Sequence, residues 1–227
     1  MKMAKLVFDT SSLISVSENC LMRIISAISS EKGAELIIPE GVYYESVSHP
    51  LQIRRFELNA LRIKDAVDSG AIKIMKLNAA AKKSAEIIEN LANSLFEISG
   101  EKISLVHAGE IETLALANSI NADLIVMDER TTRMLVEDAY RLRDRMEEKY
   151  ESKVDIDAGK LAELQGMFAG AKIVRSVELI AYAYEKGYSE PELKKTRLAL
   201  EAALYAAKYG GCAVSLEEIQ QFLKSAR

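Results

Sequence analysis

Short apolar runs alternate along the first two thirds of the chain with longer stretches in which apolar residues recur at helical spacing. Strands are predicted over residues 5–8, 35–38, 72–77, 123–127 and 153–156. The sequences Leu-Val-Phe and Leu-Ile-Val are apolar without alternation, which is typical of strands covered on both faces. The pattern therefore predicts an α/β fold, a three-layer sandwich with a central parallel sheet between two layers of helices.

Helices are predicted where apolar residues recur every three to four positions. The ranges are 18–30, 41–47, 51–68, 78–96, 108–120 and 129–148. After Asp157 no further strand is expected, because residues 174–186, 191–209 and 216–224 all have helical periodicity. We therefore expect an α/β domain over residues 1–157 and a helical C-terminal extension over residues 158–227.

The composition is that of a globular protein. The 227 residues are 49% hydrophobic and 28% charged with a net charge of −4, which excludes disordered and collagen-like chains. No run reaches the roughly 18–20 apolar residues that span a bilayer, so no membrane segment and a cytoplasmic location are expected. The cysteines, Cys20 and Cys212, share no metal-ligand or redox spacing. Mild net acidity argues against binding nucleic acid through overall charge, but leaves a local basic face open.

Acidic residues follow two of the predicted strands at the point where each strand ends. Asp9 follows residues 5–8, and Asp128 follows residues 123–127. The carboxyl ends of parallel strands form the crevice where ligands bind, so both side chains are expected at one edge of the sheet. Glu45, after the second strand, and Glu110, on the helix that precedes Asp128, are candidates for the same cleft.

Four carboxylates in one cleft repel one another at neutral pH and take up protons unless a cation compensates them. Mg²⁺ or Mn²⁺ fits, since both ions prefer oxygen ligands and leave positions open for water and phosphate. His49 and His107 each stand alone, which does not support zinc. Taken singly, the acids are also explained as helix N-caps or solvated side chains. Their joint placement after these strands favours a metal site.

The order of these motifs resembles the PIN-domain family of metal-dependent nucleases, which includes the toxin ribonucleases of prokaryotic toxin–antitoxin pairs. The matching segments are residues 6–14, 37–45, 109–117 and 122–128, and the likeness extends over residues 4–157. The third segment is similar to the branch that has Gly-Glu-x-Glu before an Ala-rich helix. The resemblance implies a PIN-like sandwich and a metal-dependent endoribonuclease. Its metal ligands and catalytic residues would be Asp9, Glu45, Glu110 and Asp128, with one or two Mg²⁺ or Mn²⁺ ions that activate a water molecule.

Two ligand assignments stay open. Glu112 is an alternative to Glu110, because residues two apart on a helix point about 200° apart and only one of them can face the cleft. The spacing in the family favours Glu110. Glu129 is likewise an alternative to Asp128. The family often has Thr or Ser two positions before the last Asp, whereas this chain has Val126.

Basic residues form two candidate nucleic-acid-binding stripes. The first comprises Arg54, Arg55 and Arg62 with Lys64, and the second comprises Arg130, Arg133 and Arg141. Either stripe is suited to contact phosphates beside the acidic cleft, although interleaved acids are also typical of ordinary solvated helix faces. The expected substrate is RNA, single-stranded or structured, and no aromatic series specifies its sequence.

Three other functions fit these residues less well. A non-catalytic PIN-like RNA-binding protein or scaffold normally lacks one or more of the acids, and all four are present. A phosphoaspartyl phosphatase has a second Asp two residues after the first, where this chain has Ser11. A nucleotide-binding module needs glycines after the first strand, and residues 9–14 contain none.

Two partners are suggested besides the substrate. A toxin role implies an antitoxin protein, while the added length of the extension also suits an RNA-processing nuclease. Small residues at helical spacing in the extension, including Ala199, Ala202 and Ala203, predict close helix packing. That packing is expected either within the chain or in a homodimer.

Overall fold

The computed structural model of the chain describes residues 3–31, 33–188, 190 and 194–226. Within these residues, five parallel strands form a central sheet in the order β3-β2-β1-β6-β8, and three short antiparallel strands form a second sheet in the order β5-β4-β7. The strands are β1 (Ala4–Phe8), β2 (Ala34–Pro39), β3 (Lys73–Met75), β4 (Phe96–Ile98), β5 (Glu101–Lys102), β6 (Leu124–Val126), β7 (Val154–Ile156) and β8 (Lys172–Val174). The predicted α/β class and central parallel sheet are confirmed.

Helices cover both faces of this sheet. They are α1 (Thr10–Glu18), α2 (Met22–Ser30), α3 (Glu40–Tyr43), α4 (Glu57–Asp68), α5 (Ala79–Ala92), α6 (Ala108–Ser119), α7 (Arg130–Glu137), α8 (Ala139–Tyr150), α9 (Ala158–Met167), α10 (Ser176–Lys186), α11 (Arg197–Tyr209) and α12 (Leu216–Ser225). A π-helical turn, Tyr44–Ser48, continues α3, and a 3₁₀ turn, Pro50–Gln52, follows it. None of these helices has the length and apolar character needed to cross a membrane.

The strand β1 shows how the sheet divides the core. Leu6 and Phe8 pack with the layer that contains α1, α2, α4 and the C-terminal helices, whereas Val7 packs with the layer that contains α5, α6 and α9. All three side chains are buried, as expected for a strand with helices on both sides. Burial on both faces therefore explains why apolar and polar residues do not alternate in the sequence of β1.

The expectation that no strand follows Asp157 is wrong. β8 lies parallel to β6, with Lys172 opposite Leu124 and Val174 opposite Val126, and it forms an edge of the central sheet. Its three residues give too short a pattern to separate a strand from a loop. The C-terminal part of the chain thus contributes a strand to the sheet as well as helices.

Several predicted helices have different limits. The range 129–148 is two helices, because the backbone at Asp138 is non-helical and its carboxylate accepts a hydrogen bond from Arg141 N at the start of α8. The range 78–96 ends earlier, and Phe96 belongs to β4. The range 18–30 contains the end of α1 and a separate helix, α2. Of the range 191–209, residues 191–193 lie outside the described residues, and α11 begins at Arg197.

The C-terminal helices pack within the chain. Leu200, Ala203, Leu204 and Ala207 of α11 are buried in the same core layer as Ile180 of α10. Of the small residues that the sequence analysis singled out, Ala203 is buried in this layer, whereas Ala199 is half-buried and Ala202 is exposed. One face of α11 is therefore buried without a second copy of the chain.

Candidate active site

Two aspartates meet at the carboxyl ends of neighbouring strands. Asp9 directly follows β1, and Asp128 follows β6 two residues after Val126. The two strands pair in parallel, and Asp9 N donates to Val126 O at 3.0 Å. Both aspartates are only 2–3% exposed. The fold thus places two buried carboxylates at the sheet edge where α/β proteins bind ligands.

The Asp9 carboxylate is both a helix cap and part of this acidic pair. Its Oδ1 accepts from Ser12 N at 2.9 Å, which caps the start of α1. Its Oδ2 accepts from Ser11 Oγ at 2.6 Å, and the same hydroxyl accepts from Asp128 N at 3.2 Å. Ser11 therefore bridges the two strand ends. The Asp9 carboxylate therefore caps α1 and at the same time forms part of the acidic pair.

Burial dominates the protonation of Asp9. Desolvation raises the pKa of its carboxyl from 3.8 to about 6, while the hydrogen bonds from Ser11 and Ser12 act in the opposite direction. The charge of Asp128 raises the pKa further. A cation beside this pair would favour the deprotonated carboxylate, since opposite charge stabilises the charged form.

Asp128 is held by a residue that the sequence analysis missed. Its Oδ1 accepts from Ser176 N at 2.7 Å, and its Oδ2 accepts from Ser176 Oγ at 2.6 Å. Ser176 begins α10 two residues after the end of β8, so the pairing of β8 with β6 brings it to the site. The Ser176 hydroxyl thus lies beside Asp128. The signal available in the sequence was a serine that follows the short segment Lys172-Ile-Val-Arg175 near the start of a predicted helix.

The C-terminal part of the chain reaches the site through a second residue. Cys212 is buried near Asp128 and Ser176, and burial followed by the charge of Asp128 raises the pKa of its thiol to about 12. The thiol is therefore protonated at neutral pH and is a poor metal ligand there.

Glu45 approaches the same edge from the π-helical turn. Its Oε2 accepts from Thr10 Oγ1 at 2.8 Å, which places the carboxylate beside the residue that follows Asp9. The carboxylate also lies against Gly109, where an added Cβ would stand 2.6 Å from Glu45 Oε2. Gly109 therefore allows Glu45 to approach the start of α6, which gives the Gly-Glu motif a steric reason.

Glu110 and Glu112 point in different directions, as the helical geometry predicted. Glu110 Oε2 accepts from His107 N at 2.8 Å as part of a capping box, and burial followed by the charge of Glu129 raises the pKa of Glu110. Glu112 Oε2 accepts from Gly41 N at 3.0 Å and thereby holds the first turn of α3. Of these two glutamates, Glu110 is thus the one that lies beside Glu129, which follows β6.

Glu129 caps the next helix. Its carboxylate accepts from Thr132 N at the start of α7. Asp128, the alternative at this position, is buried beside Asp9, whereas Glu129 is half-buried next to Glu110.

The described residues include no cluster of three or more His, Cys, Asp or Glu side chains already arranged around a metal position. Asp128, Glu110 and Glu45 each use carboxylate oxygens in hydrogen bonds within the protein. The donors at the edge are carboxylates and hydroxyls, a set that suits Mg²⁺ or Mn²⁺ rather than a soft metal. Metal binding here requires some of these hydrogen bonds to be exchanged for ion contacts.

The first basic stripe is largely engaged in the fold. Arg62 Nη1 donates to Ser17 O and Asn59 Oδ1, both at 3.2 Å, which ties α4 to α1. Arg54 pairs with Glu57 at 3.1 Å, and Arg55 lies over the ring of Phe56. Arg62 therefore has a structural role, while Arg54 and Arg55 stay exposed.

The second basic stripe lies next to the carboxylates. Arg130 is exposed at the first position of α7, and Arg133 is mostly buried and pairs with Glu137 at 3.1 Å. α7 begins two residues after Asp128. The second stripe is therefore closer along the chain to the acidic pair than the first stripe is.

A comparison with known families agrees with this geometry. A family model described as a PIN domain matches residues 5–139, which is more than half of the chain. The matched segment includes Asp9, Glu45, Glu110 and Asp128. No curated protein and no solved structure matches the chain. The chain therefore belongs to the PIN-domain family.

Proposed function

We propose that the protein is a metal-dependent endoribonuclease. The observation that carries the proposal is the pair of buried aspartates, Asp9 and Asp128, on adjacent parallel strand ends and bridged by Ser11. PIN domains are generally nucleases. Asp9 and Asp128 form no ion pair with the described residues. Two such buried carboxylates are poorly explained by stability alone, because burial of an uncompensated charge is unfavourable.

In this proposal Asp9, Glu45, Glu110 and Asp128 hold one or two Mg²⁺ or Mn²⁺ ions, with Glu112 and Glu129 as the alternatives. An ion held by these carboxylates would supply a water molecule of lowered pKa and compensation for charge on the leaving oxygen.

Neighbouring hydroxyl groups orient three of these carboxylates. Ser11 donates to Asp9, Thr10 to Glu45 and Ser176 to Asp128. No side-chain nucleophile is required, since water supplies the oxygen that attacks phosphorus.

The test is cleavage of single-stranded RNA by the purified full chain in Mg²⁺ or Mn²⁺ and in EDTA. We expect cleavage with either ion and none in EDTA. Asp9→Asn keeps an N-cap but removes a ligand charge, and we expect it to lower the rate by more than about 100-fold, the upper range for residues around a metal. Asp68→Asn, on an exposed aspartate paired with Lys64, is the matched control.

Equal cleavage in EDTA and Mg²⁺ would contradict the metal mechanism. Near-wild-type cleavage by Asp9→Asn would remove Asp9 from the ligand set. Metal-independent RNA binding without any cleavage would favour the non-catalytic PIN-like alternative.

The biological role is proposed on the same basis. A toxin would have an antitoxin partner, and growth arrest on expression that the product of an adjacent small gene relieves would support that role. Family toxins are commonly close to the α/β domain in length, so the extension favours RNA processing if neither observation is made.

A further inference from the structure

A polar cavity of about 480 Å³ lies between the α7–α8 pair and the segment that leads into α12. Its basic lining residues and its one serine are Arg130, Arg133, Arg141, Arg145, Arg175 and Ser215. Arg130 and Arg133 lie within the PIN-domain match and Arg141 and Arg145 just after it, whereas Arg175 and Ser215 belong to the C-terminal part of the chain.

Two of the arginines are already neutralised. Arg133 pairs with Glu137 at 3.1 Å, and the buried Arg175 pairs with Glu178 and, at 2.9 Å, with Glu218. Arg175 Nη1 also donates to the carbonyl oxygen of residue 213 at 2.8 Å. These pairs fix the walls of the cavity and use most of its acidic groups.

The other three guanidinium groups have no partner among the residues that the structure describes. The side chains of Arg130, Arg141 and Arg145 are exposed and make no ion pair or hydrogen bond with the described residues. Asp138, the remaining acid of the lining, accepts from Arg141 N in capping α8. The cavity therefore carries a net positive charge.

Arg133 adds an independent sign of a missing acceptor. Its Nε is buried and has no hydrogen-bond partner within the described residues. A buried donor without an acceptor is unfavourable, and native proteins usually satisfy it. An oxyanion in the cavity would provide such an acceptor only after the Arg133 side chain turns toward it, because Nε has no exposed surface.

Two lining residues of the cavity are close in sequence to residues of the acidic pair and its hydrogen bonds. Arg130 lies two residues after Asp128, and Arg175 directly precedes Ser176, whose backbone and side chain both bind Asp128. A second cavity of about 440 Å³ shares Arg130 and Arg145 with the first. The two cavities thus have two unpaired arginines in common.

We propose that the cavity binds a phosphate group of the substrate RNA. Planar guanidinium groups bind phosphate oxygens in a forked geometry, and a cluster of three matches the charge of a phosphate better than any neutral ligand. This proposal rests on the proposed nuclease function for the identity of the ligand. This phosphate is either an internal phosphodiester of the RNA or a phosphate at one of its ends.

The test compares RNA binding by two matched double variants. Arg141→Gln with Arg145→Gln removes two unpaired charges from the cavity, whereas Lys194→Gln with Arg197→Gln removes two exposed charges at the start of α11. Binding of a fluorescent single-stranded RNA is followed by anisotropy in EDTA at several salt concentrations. Three RNAs are used, with a 5′ phosphate, a 3′ phosphate or hydroxyls at both ends. Thermal unfolding of each variant checks that it folds.

We expect the cavity variant to bind about tenfold more weakly. The log–log slope of its affinity against salt concentration should fall by about 0.7 for each phosphate that the protein no longer neutralises. The control should bind as the unmodified chain does. Equal weakening for all three RNAs assigns the cavity to an internal phosphodiester, and weakening confined to one phosphorylated end assigns it to that terminal phosphate.

Unchanged affinity and slope in the cavity variant, or equal weakening in both variants, would overturn the proposal. Because binding is measured without metal, this outcome is separate from the nuclease test. A chain that binds RNA through these arginines but never cleaves it would retain the phosphate site and lose the proposed activity.

Discussion

Burial of Asp9 makes the stability of the metal-free chain depend on pH. Its pKa is about 6 in the folded chain and 3.8 ordinarily, so the folded state binds more protons between these values. The free energy of unfolding should therefore fall as pH rises from about 4 to 6 and then level off, with a total change of about 3 kcal/mol from this group.

Asp9→Asn should remove this contribution, because asparagine does not titrate. Urea unfolding in EDTA at pH 4, 5, 6 and 7 measures it as the difference between the unmodified chain and the variant. The variant should gain stability relative to the unmodified chain as pH rises. A difference that is constant with pH would show that Asp9 ionises normally.

Ser176 is expected to position Asp128 through its hydroxyl. Ser176→Ala keeps the backbone donor but loses the 2.6 Å hydrogen bond, so Asp128 should be less well oriented. We expect about 10–100-fold weaker activity, with a higher Mg²⁺ concentration at half-maximal rate. Ser176→Thr should restore part of the activity. A purely structural role would instead lower the Tm and leave the Mg²⁺ dependence unchanged.

At the scale of elements, the sequence was most informative where burial alone decides structure. β1, β2 and β6 are apolar runs covered on both faces, and their pattern predicted the three strands. It also predicted that the aspartates after β1 and β6 lie at the same edge of the sheet. β8 could not be predicted because its three residues become a strand only by pairing with β6. Ser176 was missed for the same reason, since only that pairing brings it to Asp128.

The β4–β5 hairpin contains a turn signal that helical periodicity obscured. Ser99 and Gly100 both have positive φ, at 53° and 83°, as in the two-residue turns that favour tight hairpins. The helical pattern over residues 78–96 extends into β4, so the prediction assigned Phe96 to a helix. A Ser-Gly pair is a better guide here than the last turn of a helical pattern, because it specifies the backbone conformation directly.

At the scale of the whole molecule, the C-terminal part completes the fold and the site. A chain that ends at Asp157 would lack β8 and Ser176, together with the buried Leu204 and Ile219. We expect it to aggregate or to lose cooperative unfolding, because one layer of the core would be exposed to water. The predicted boundary at residue 157 would then mark a change in the hydrophobic pattern of the sequence. It would not mark the end of a domain that folds alone.

Light scattering of both chains checks this expectation. An intact chain that is monomeric beside an aggregating shorter chain would support packing within the chain and eliminate the homodimer. A shorter chain that is soluble and unfolds cooperatively would contradict the expectation.

Binding of Mn²⁺ to the purified full chain tests the central claim most directly, because it needs neither the right RNA nor the right partner. Titration at pH 7.5, followed by the electron paramagnetic resonance of free Mn²⁺, should show one or two ions bound. Binding should be lost or greatly weakened in Asp9→Asn and retained in Asp68→Asn. Equal Mn²⁺ binding by both variants, or none by the unmodified chain, would contradict a metal site at the ends of β1 and β6.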